Sequence, residues 1–245
     1  KAGSTGANTV TLKTISANNK IDIGSGTGVS GVDATGTMGL SNTELNFITA
    51  GNLVIGDTAN TGGIKVSAAT TSNAATGNLT LVTGGNIAID GALTVGSASP
   101  SKNLTLNGTG ITSAITQSAA IKAAGLEVLG ANATYTLNTA GNDIKKLAGN
   151  TKTVSLTNNA VFAIDAVNTV GLTTSGNTTL SSTATVTQTQ AISAAGLELL
   201  GNGGSYTLNN GNNTISTLAG NTGTVSLTNK GDLAIDTVNT AGLTT

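Results

Sequence analysis

The chain has 245 residues and a formal net charge of -1, with ten basic residues that are all lysine, eleven acidic residues and no histidine or cysteine. This charge balance lacks the basic footprint of a nucleic-acid-binding protein, so we expect no nucleic-acid partner. The absence of cysteine excludes disulfides. No apolar run approaches the roughly 18 to 20 residues that cross a bilayer, so no transmembrane segment is predicted.

Composition also argues against both an ordinary globule and a disordered chain. Charged residues make up 9% and aromatic residues 2% of the chain, whereas charged residues alone make up roughly 25% of a typical globular domain. Hydrophobic residues nevertheless make up 38%, which is more than a disordered segment of this polarity carries. The chain can therefore fold if each structural layer is thin.

Short apolar triplets recur along the chain, each with two aliphatic residues on either side of a small or polar one. Successive side chains of a strand point to opposite sides, so both aliphatic residues face inward and the middle residue faces solvent. The triplets follow one another too closely for crossover helices. The predicted inward stack contains Ile87, Ile89, Leu104, Leu106, Val154, Leu156, Val225, Leu227, Leu233 and Ile235.

Segments rich in Gly and Asn separate the triplets and are typical of tight corners. The motif Ile-Ala-Ile-Asp at 87–90 returns as Ala-Ile-Asp at 163–165 and 234–236. We predict that Asp90, Asp165 and Asp236 close their turns through Asx hydrogen bonds. Calcium ligation is the alternative, but calcium sites gather six to eight oxygens, several from neighbouring carboxylates. No cofactor is expected.

Residues 121–174 are copied at 192–245, with an offset of 71 positions and 35 of 54 residues identical. Copying of a whole segment is typical of supersecondary units that stack on one another. We interpret 121–191 and 192–245 as repeat units, the second truncated, and 1–120 as more divergent coils. Leu156 and Leu227 are then expected in the same stack, about three coils apart. The paired Glu127 and Glu198 are expected to face solvent.

Closely spaced strands, tight corners and repetition predict an all-β fold, a parallel β-helix (β-solenoid) of about ten coils. Residues 1–245 then form a single β-solenoid, a fragment of a longer repeat array. The narrow interior of such a coil accepts stacked Ile, Val, Leu and Ala better than large aromatic rings.

The segments AGNLVIGD (50–57), GNLTLVTGGNIAIDGALTVGS (77–97) and GLTTSGNTTLSSTATVTQ (171–188) resemble the rod repeats of filamentous-haemagglutinin-like exoproteins. These are large adhesins of the bacterial two-partner secretion route. The resemblance implies a right-handed β-helix, export through an outer-membrane transporter and an extracellular place on the surface of a Gram-negative bacterium. The secretion domain of that family typically carries Asn-Pro-Asn motifs. None surrounds Pro100, so the chain resembles the rod.

Candidate chemistry is sparse. The absence of His, Cys and Arg removes Ser-His-Asp and Cys-His nucleophile systems and the usual zinc ligands, and the carboxylates are scattered, so we predict no enzyme. The outward Thr and Gln residues at 185–190 are typical of exposed strands, with ice binding as the alternative.

Two functional hypotheses remain. The first is an adhesin rod that attaches to a host or neighbouring-cell surface through an unknown glycan or protein. The second is a structural extracellular filament, sheath or biofilm-matrix protein in which rods associate laterally. Both use the same fold.

Overall fold

The computed structural model describes residues 8–25, 33–72, 76–96 and 101–245 as parallel strands stacked in a right-handed β-solenoid with almost no helix. Pro100 lies outside the described residues. The all-β, β-helical prediction is confirmed.

The described strands before Ile121 have at most eight residues, whereas each copy contains two strands of 14 to 17 residues. The first half contains β1 (Thr9–Leu12), β2 (Lys20–Ile23), β3 (Thr37–Leu40), helix α1 (Asn42–Asn46), β4 (Ala50–Asp57), β5 (Ile64–Val66), β6 (Thr70–Thr71), β7 (Thr76–Thr83), β8 (Ile87–Ile89) and β9 (Leu93–Thr94). The strands that follow are β10 (Asn103–Gly108), β11 (Ala114–Gln117), β12 (Ile121–Leu137), β13 (Asp143–Thr157), β14 (Phe162–Ile164), β15 (Leu172–Thr174), β16 (Asn177–Ser181), β17 (Thr185–Gln188), β18 (Ile192–Leu208), β19 (Thr214–Leu227), β20 (Ala234–Ile235) and β21 (Leu243–Thr244).

One ladder of parallel pairings runs through the solenoid from β5 to β20. It makes eight turns, slightly fewer than the predicted ten coils. At the usual interstrand spacing, eight turns span about 40 Å. The residues stacked along this ladder are Ile64, Ile87, Ile115, Tyr135, Val154, Thr178, Leu197, Leu218 and Ile235.

The N-terminal end is covered by β3 and α1. Ile21 of β2 pairs with Met38 of β3 on one side and Ile64 of β5 on the other, so β3 is the outer strand of this stack. Helix α1 follows directly, with a capping box in which the Ser41 hydroxyl accepts from the backbone N–H of Glu44. Leu45 on this helix is buried in the core.

The two copies lie on different faces of the solenoid, so the prediction for Leu156 and Leu227 is wrong. Leu156 pairs with Leu180, which pairs with Leu199, whereas Leu227 pairs with Leu208 on another stack. The three turns from Tyr135 to Leu197 take up 62 residues. An offset of 71 therefore carries each copied residue nine positions further, to the next face.

Candidate functional site

The predicted inward residues fall into three groups by burial. Ile87, Ile89, Leu104, Leu106, Val154 and Leu156 are buried in the central core. Val225, Leu227 and Leu233 are partly buried against that core. Ile235 aligns with Leu218 but remains 55% exposed. Its exposure has a simple cause, since no further strand stacks on β20 within the described chain.

Asp90 connects three coils and does not close its own turn with a hydrogen bond. Its carboxylate lies 3.1 Å from the Lys65 ammonium of the preceding coil, and it accepts a 2.9 Å hydrogen bond from the Ser118 hydroxyl of the following coil. These contacts hold the pKa of Asp90 below its ordinary value, with the hydrogen bond from Lys65 as the main cause. The Asx prediction is wrong for this residue.

Asp165 and Asp236 each begin a loop that leaves the solenoid and returns to it. Their carboxylates accept hydrogen bonds from the next backbone N–H, that of Ala166 at 2.8 Å and that of Thr237 at 2.7 Å. Their backbone carbonyl groups accept from the N–H groups of Gly171 and Gly242, which close the loops, so the predicted closure by a side-chain Asx bond is wrong here as well. We term residues 165–171 the first strap and residues 236–242 the second strap.

The first strap is an insertion in the strand that pairs with β13, and the pairing resumes after it in the same coil. β13 pairs with β14 through Leu147 and Ile164, and it resumes pairing with β15 through Gly149 and Leu172. Everything between Ile164 and Leu172 therefore projects outward and folds over the neighbouring coils. The strap ends at Gly171, whose φ of +74° belongs to the left-handed region that favours glycine.

The carboxylate of Glu127 holds the first strap in place. It accepts from the Asn168 amide at 2.8 Å, the Thr169 backbone N–H at 2.7 Å and the Thr105 hydroxyl at 2.7 Å. Glu127 is only 2% exposed. The expectation that it faces solvent is therefore wrong, because the strap covers this outward strand position.

Glu198 repeats the arrangement beneath the second strap. It accepts from the Asn239 amide at 2.6 Å, the Thr240 backbone N–H at 2.8 Å and the Thr179 hydroxyl at 2.8 Å, and it is 1% exposed. Burial by itself raises the pKa of Glu198, but the hydrogen bonds from Asn239, Thr179 and Thr240 outweigh it and hold the pKa below its usual value. The buried carboxylate is therefore ionised near neutral pH.

A glycine beside each glutamate makes room for the strap. A Cβ atom on Gly125 would lie 2.9 Å from a methyl group of Val167, and one on Gly196 would lie 3.0 Å from a methyl group of Val238. The sequence signal for this contact is Gly-Leu-Glu, followed 42 positions later by Val-Asn-Thr, in both copies. Sequence reasoning recorded the two glutamates but missed their partners.

Buried polar side chains also join adjacent coils inside the solenoid. The Tyr135 hydroxyl lies 2.6 Å from the carbonyl oxygens of Leu106 and Leu129, and burial raises its pKa. The side-chain amide of Asn142 accepts from the N–H of Ile121 at the start of β12 and donates to the carbonyl oxygens of Leu137 and Thr157, at the ends of β12 and β13. Both residues recur 71 positions later, as Tyr206 and Asn213.

Several open grooves on the outer surface could hold a ligand, and two of them differ in the charge of their lining. One, of about 350 Å³, has a floor that includes Gly62, Gly63 and Gly85, flanked by Lys20 and Lys65. Its glycine N–H groups already donate to carbonyl and side-chain oxygens of the chain. The other, of about 240 Å³, lies between hydroxyl side chains of β12, β13 and β16 and Asn239 of the second strap.

Within the described ranges, no three His, Cys, Asp or Glu side chains gather closely enough to hold a metal ion. In the same part of the chain, no helix is long and apolar enough to cross a membrane. No family model matches the chain, and neither a curated protein nor a solved structure matches it.

Proposed function

We propose that this chain is the rod of a secreted or surface-attached bacterial adhesin, with no catalytic role. The observation that carries this proposal is the unbroken ladder of parallel pairings from β5 to β20 around a single core. In such a solenoid each unit contacts only its neighbours, so units can be added to lengthen the rod without redesign of the rest.

The straps and the rotated repeat favour adhesion over simple spacing. Each copy presents the same Val-Asn-Thr strap on its outer surface, and the rotation turns the second copy to a different face. A partner surface can therefore meet an equivalent strap from more than one side of the rod. Weak contacts on linked sites add through effective concentration.

The proposal includes an extracellular location on a Gram-negative bacterium and export through an outer-membrane transporter. These two parts rest on the resemblance of residues 50–57, 77–97 and 171–188 to filamentous-haemagglutinin-like rods. The partner surface would be that of a host or neighbouring cell.

Adhesion can be tested by adding one repeat to the chain. Residues 121–191 would be inserted a second time after position 191, which preserves the junction because Ile192 corresponds to Ile121. Beads coated with equal molar amounts of the original and lengthened chains would be tested for attachment to epithelial and bacterial cells. We expect stronger attachment by the lengthened chain. Equal attachment would indicate a passive spacer, and filaments without attachment would favour the structural-polymer hypothesis.

A further inference from the structure

A ledge of polar side chains lies on the outer surface beside the second strap. In-register pairing places Thr134 next to Thr153, Thr136 next to Ser155, and Ser155 next to Thr179. Asn177 lies two positions before Thr179, on the same side of β16. We term these residues the hydroxyl ledge: Thr134, Thr136, Thr153, Ser155, Asn177 and Thr179.

The second strap turns one end of this ledge into a groove. The Asn239 amide donates to the Thr179 hydroxyl at 3.1 Å and to Glu198 at 2.6 Å, which fixes the strap against the last strand of the ledge. The resulting groove of about 240 Å³ has the ledge as its floor and Asn239 as its wall. Among the described residues that line it, none carries a charge.

Several hydroxyl groups in the groove are free to bind a ligand. Those of Thr134, Thr136 and Thr153 make no hydrogen bond to the described part of the chain. By contrast, Ser155 donates to Asn138 at 3.0 Å, and Thr179 donates to Glu198. The free hydroxyls can each donate and accept, and they occur on two successive strands.

We propose that this groove binds a neutral oligosaccharide that lies along the solenoid axis. Successive strands are about 4.8 Å apart, which is close to the advance of one pyranose ring in an extended chain. Each ring can therefore meet a new set of hydroxyls, while threonine methyl groups contact its C–H faces. A charged ligand would lose hydration without an opposite charge to replace it. The inference rests on the proposed adhesive function and names its ligand class.

The second copy supplies a matched control surface. Thr185 and Thr187 pair with Ser205 and Thr207, which continue to Thr224 and Ser226 on β19. Thr207 and Thr224 are the counterparts of Thr136 and Thr153 at the offset of 71. In the described chain, no strap borders this second set of hydroxyls. Equivalent threonines can therefore be substituted at a site that has the groove wall and at a site that lacks it.

The test uses the full chain and isothermal titration calorimetry. The probes are hexamers of β-1,4-linked glucose and of β-1,4-linked N-acetylglucosamine, with a sulfated hexamer for comparison. We expect saturable binding of a neutral hexamer and weaker binding of the sulfated one. Thr136→Val with Thr153→Val should lower the affinity roughly tenfold, since two hydroxyl contacts are lost. Thr207→Val with Thr224→Val should change it less than about twofold.

Three results would overturn the inference. They are no saturable binding of either neutral hexamer, equal weakening by both double variants, and a dimer in analytical ultracentrifugation that Thr136→Val with Thr153→Val abolishes. The last would identify a second copy of the chain as the occupant. Thermal unfolding monitors folding of both variants. If the hexamers fail to bind while bead attachment still increases with repeat number, the adhesive function stands and the oligosaccharide inference falls.

Discussion

The corner at Asp90 and the strap at Asp165 begin with the same Ala-Ile-Asp sequence but build different structures. At Asp90 the chain reaches the next buried leucine, Leu93, after three positions, and the preceding and following coils turn at the same place. At Asp165 the chain reaches Leu172 only after seven positions, and the neighbouring β13 continues directly from Leu147 to Gly149.

This comparison shows what an insertion into a solenoid requires. A loop that leaves the strand loses conformational freedom when it is fixed on the surface. Glu127 compensates by accepting hydrogen bonds from the strap, and Gly125 leaves space for Val167. The strap and the strand that carries its glycine and glutamate therefore form one structural unit. Both copies contain this unit, and the corner at Asp90 does not.

The largest expected loss of stability comes from core substitutions, which test whether the corner at Asp90 and the strap at Asp165 adjoin the same core. Ile89→Asp and Ile164→Asp each place a carboxylate at a position with 0% exposure. Both should lower the free energy of unfolding by about 5 kcal/mol, through lost apolar burial and an unpaired buried charge. Guanidinium denaturation measures the loss. Thr94→Asp, on the outward side of β9, is the control and should lower stability by less than about 1 kcal/mol. Similar losses for all three would contradict the assigned strand facing.

An intermediate effect is expected from removal of the glutamate beneath the first strap. Glu127→Ala leaves the Asn168 amide, the Thr169 N–H and the Thr105 hydroxyl without their acceptor. We expect the free energy of unfolding to fall by about 3 kcal/mol, because hydrogen bonds to a carboxylate are among the stronger ones. Hydration of the freed strap offsets part of this loss.

Hydrogen exchange distinguishes strap release from general destabilisation. The Thr169 amide should lose protection in Glu127→Ala while amides of β8 keep theirs. Glu127→Gln, which retains one acceptor oxygen, should show a smaller loss of stability. An unchanged exchange rate at Thr169 would contradict the role assigned to Glu127.

The smallest expected effect is a difference in pH dependence between Asp165 and Asp90. The Lys146 ammonium, the Thr189 hydroxyl and the Ala166 N–H lower the pKa of Asp165 to about 2. Because an unfolded Asp titrates near pH 3.9, the stabilising contribution is complete above about pH 4 and is lost as the pH falls through the folded pKa.

Urea denaturation at a series of pH values between about 2 and 6 tests this difference. Asp165→Asn should flatten the acid decline in the free energy of unfolding. Asp90→Asn should flatten it less, because the side chain of Asp90 is 41% exposed against 21% for Asp165, so that solvent screens its charge more strongly. A greater flattening by Asp90→Asn would reverse the comparison.

The β-solenoid could be predicted because its requirements are local. Two inward aliphatic residues such as Ile87 and Ile89, followed by a corner, define a strand whatever lies above or below it. The sequence repeat then indicated that the strands stack on one another. The number of coils could not be predicted with the same accuracy, because the residues per turn vary: Tyr135 to Val154 is 19 positions and Val154 to Thr178 is 24.

The sequence by itself determined the strand facing and the repetition, because both depend on residues within one short segment. Only the tertiary structure decided which face each copy occupies and what covers Glu127 and Glu198. The face depends on the summed length of three coils, so a few residues in distant corners turn the second copy to another side. The burial of the glutamates depends on a strap that arrives about 40 positions later, and the same outward strand position would face solvent without it.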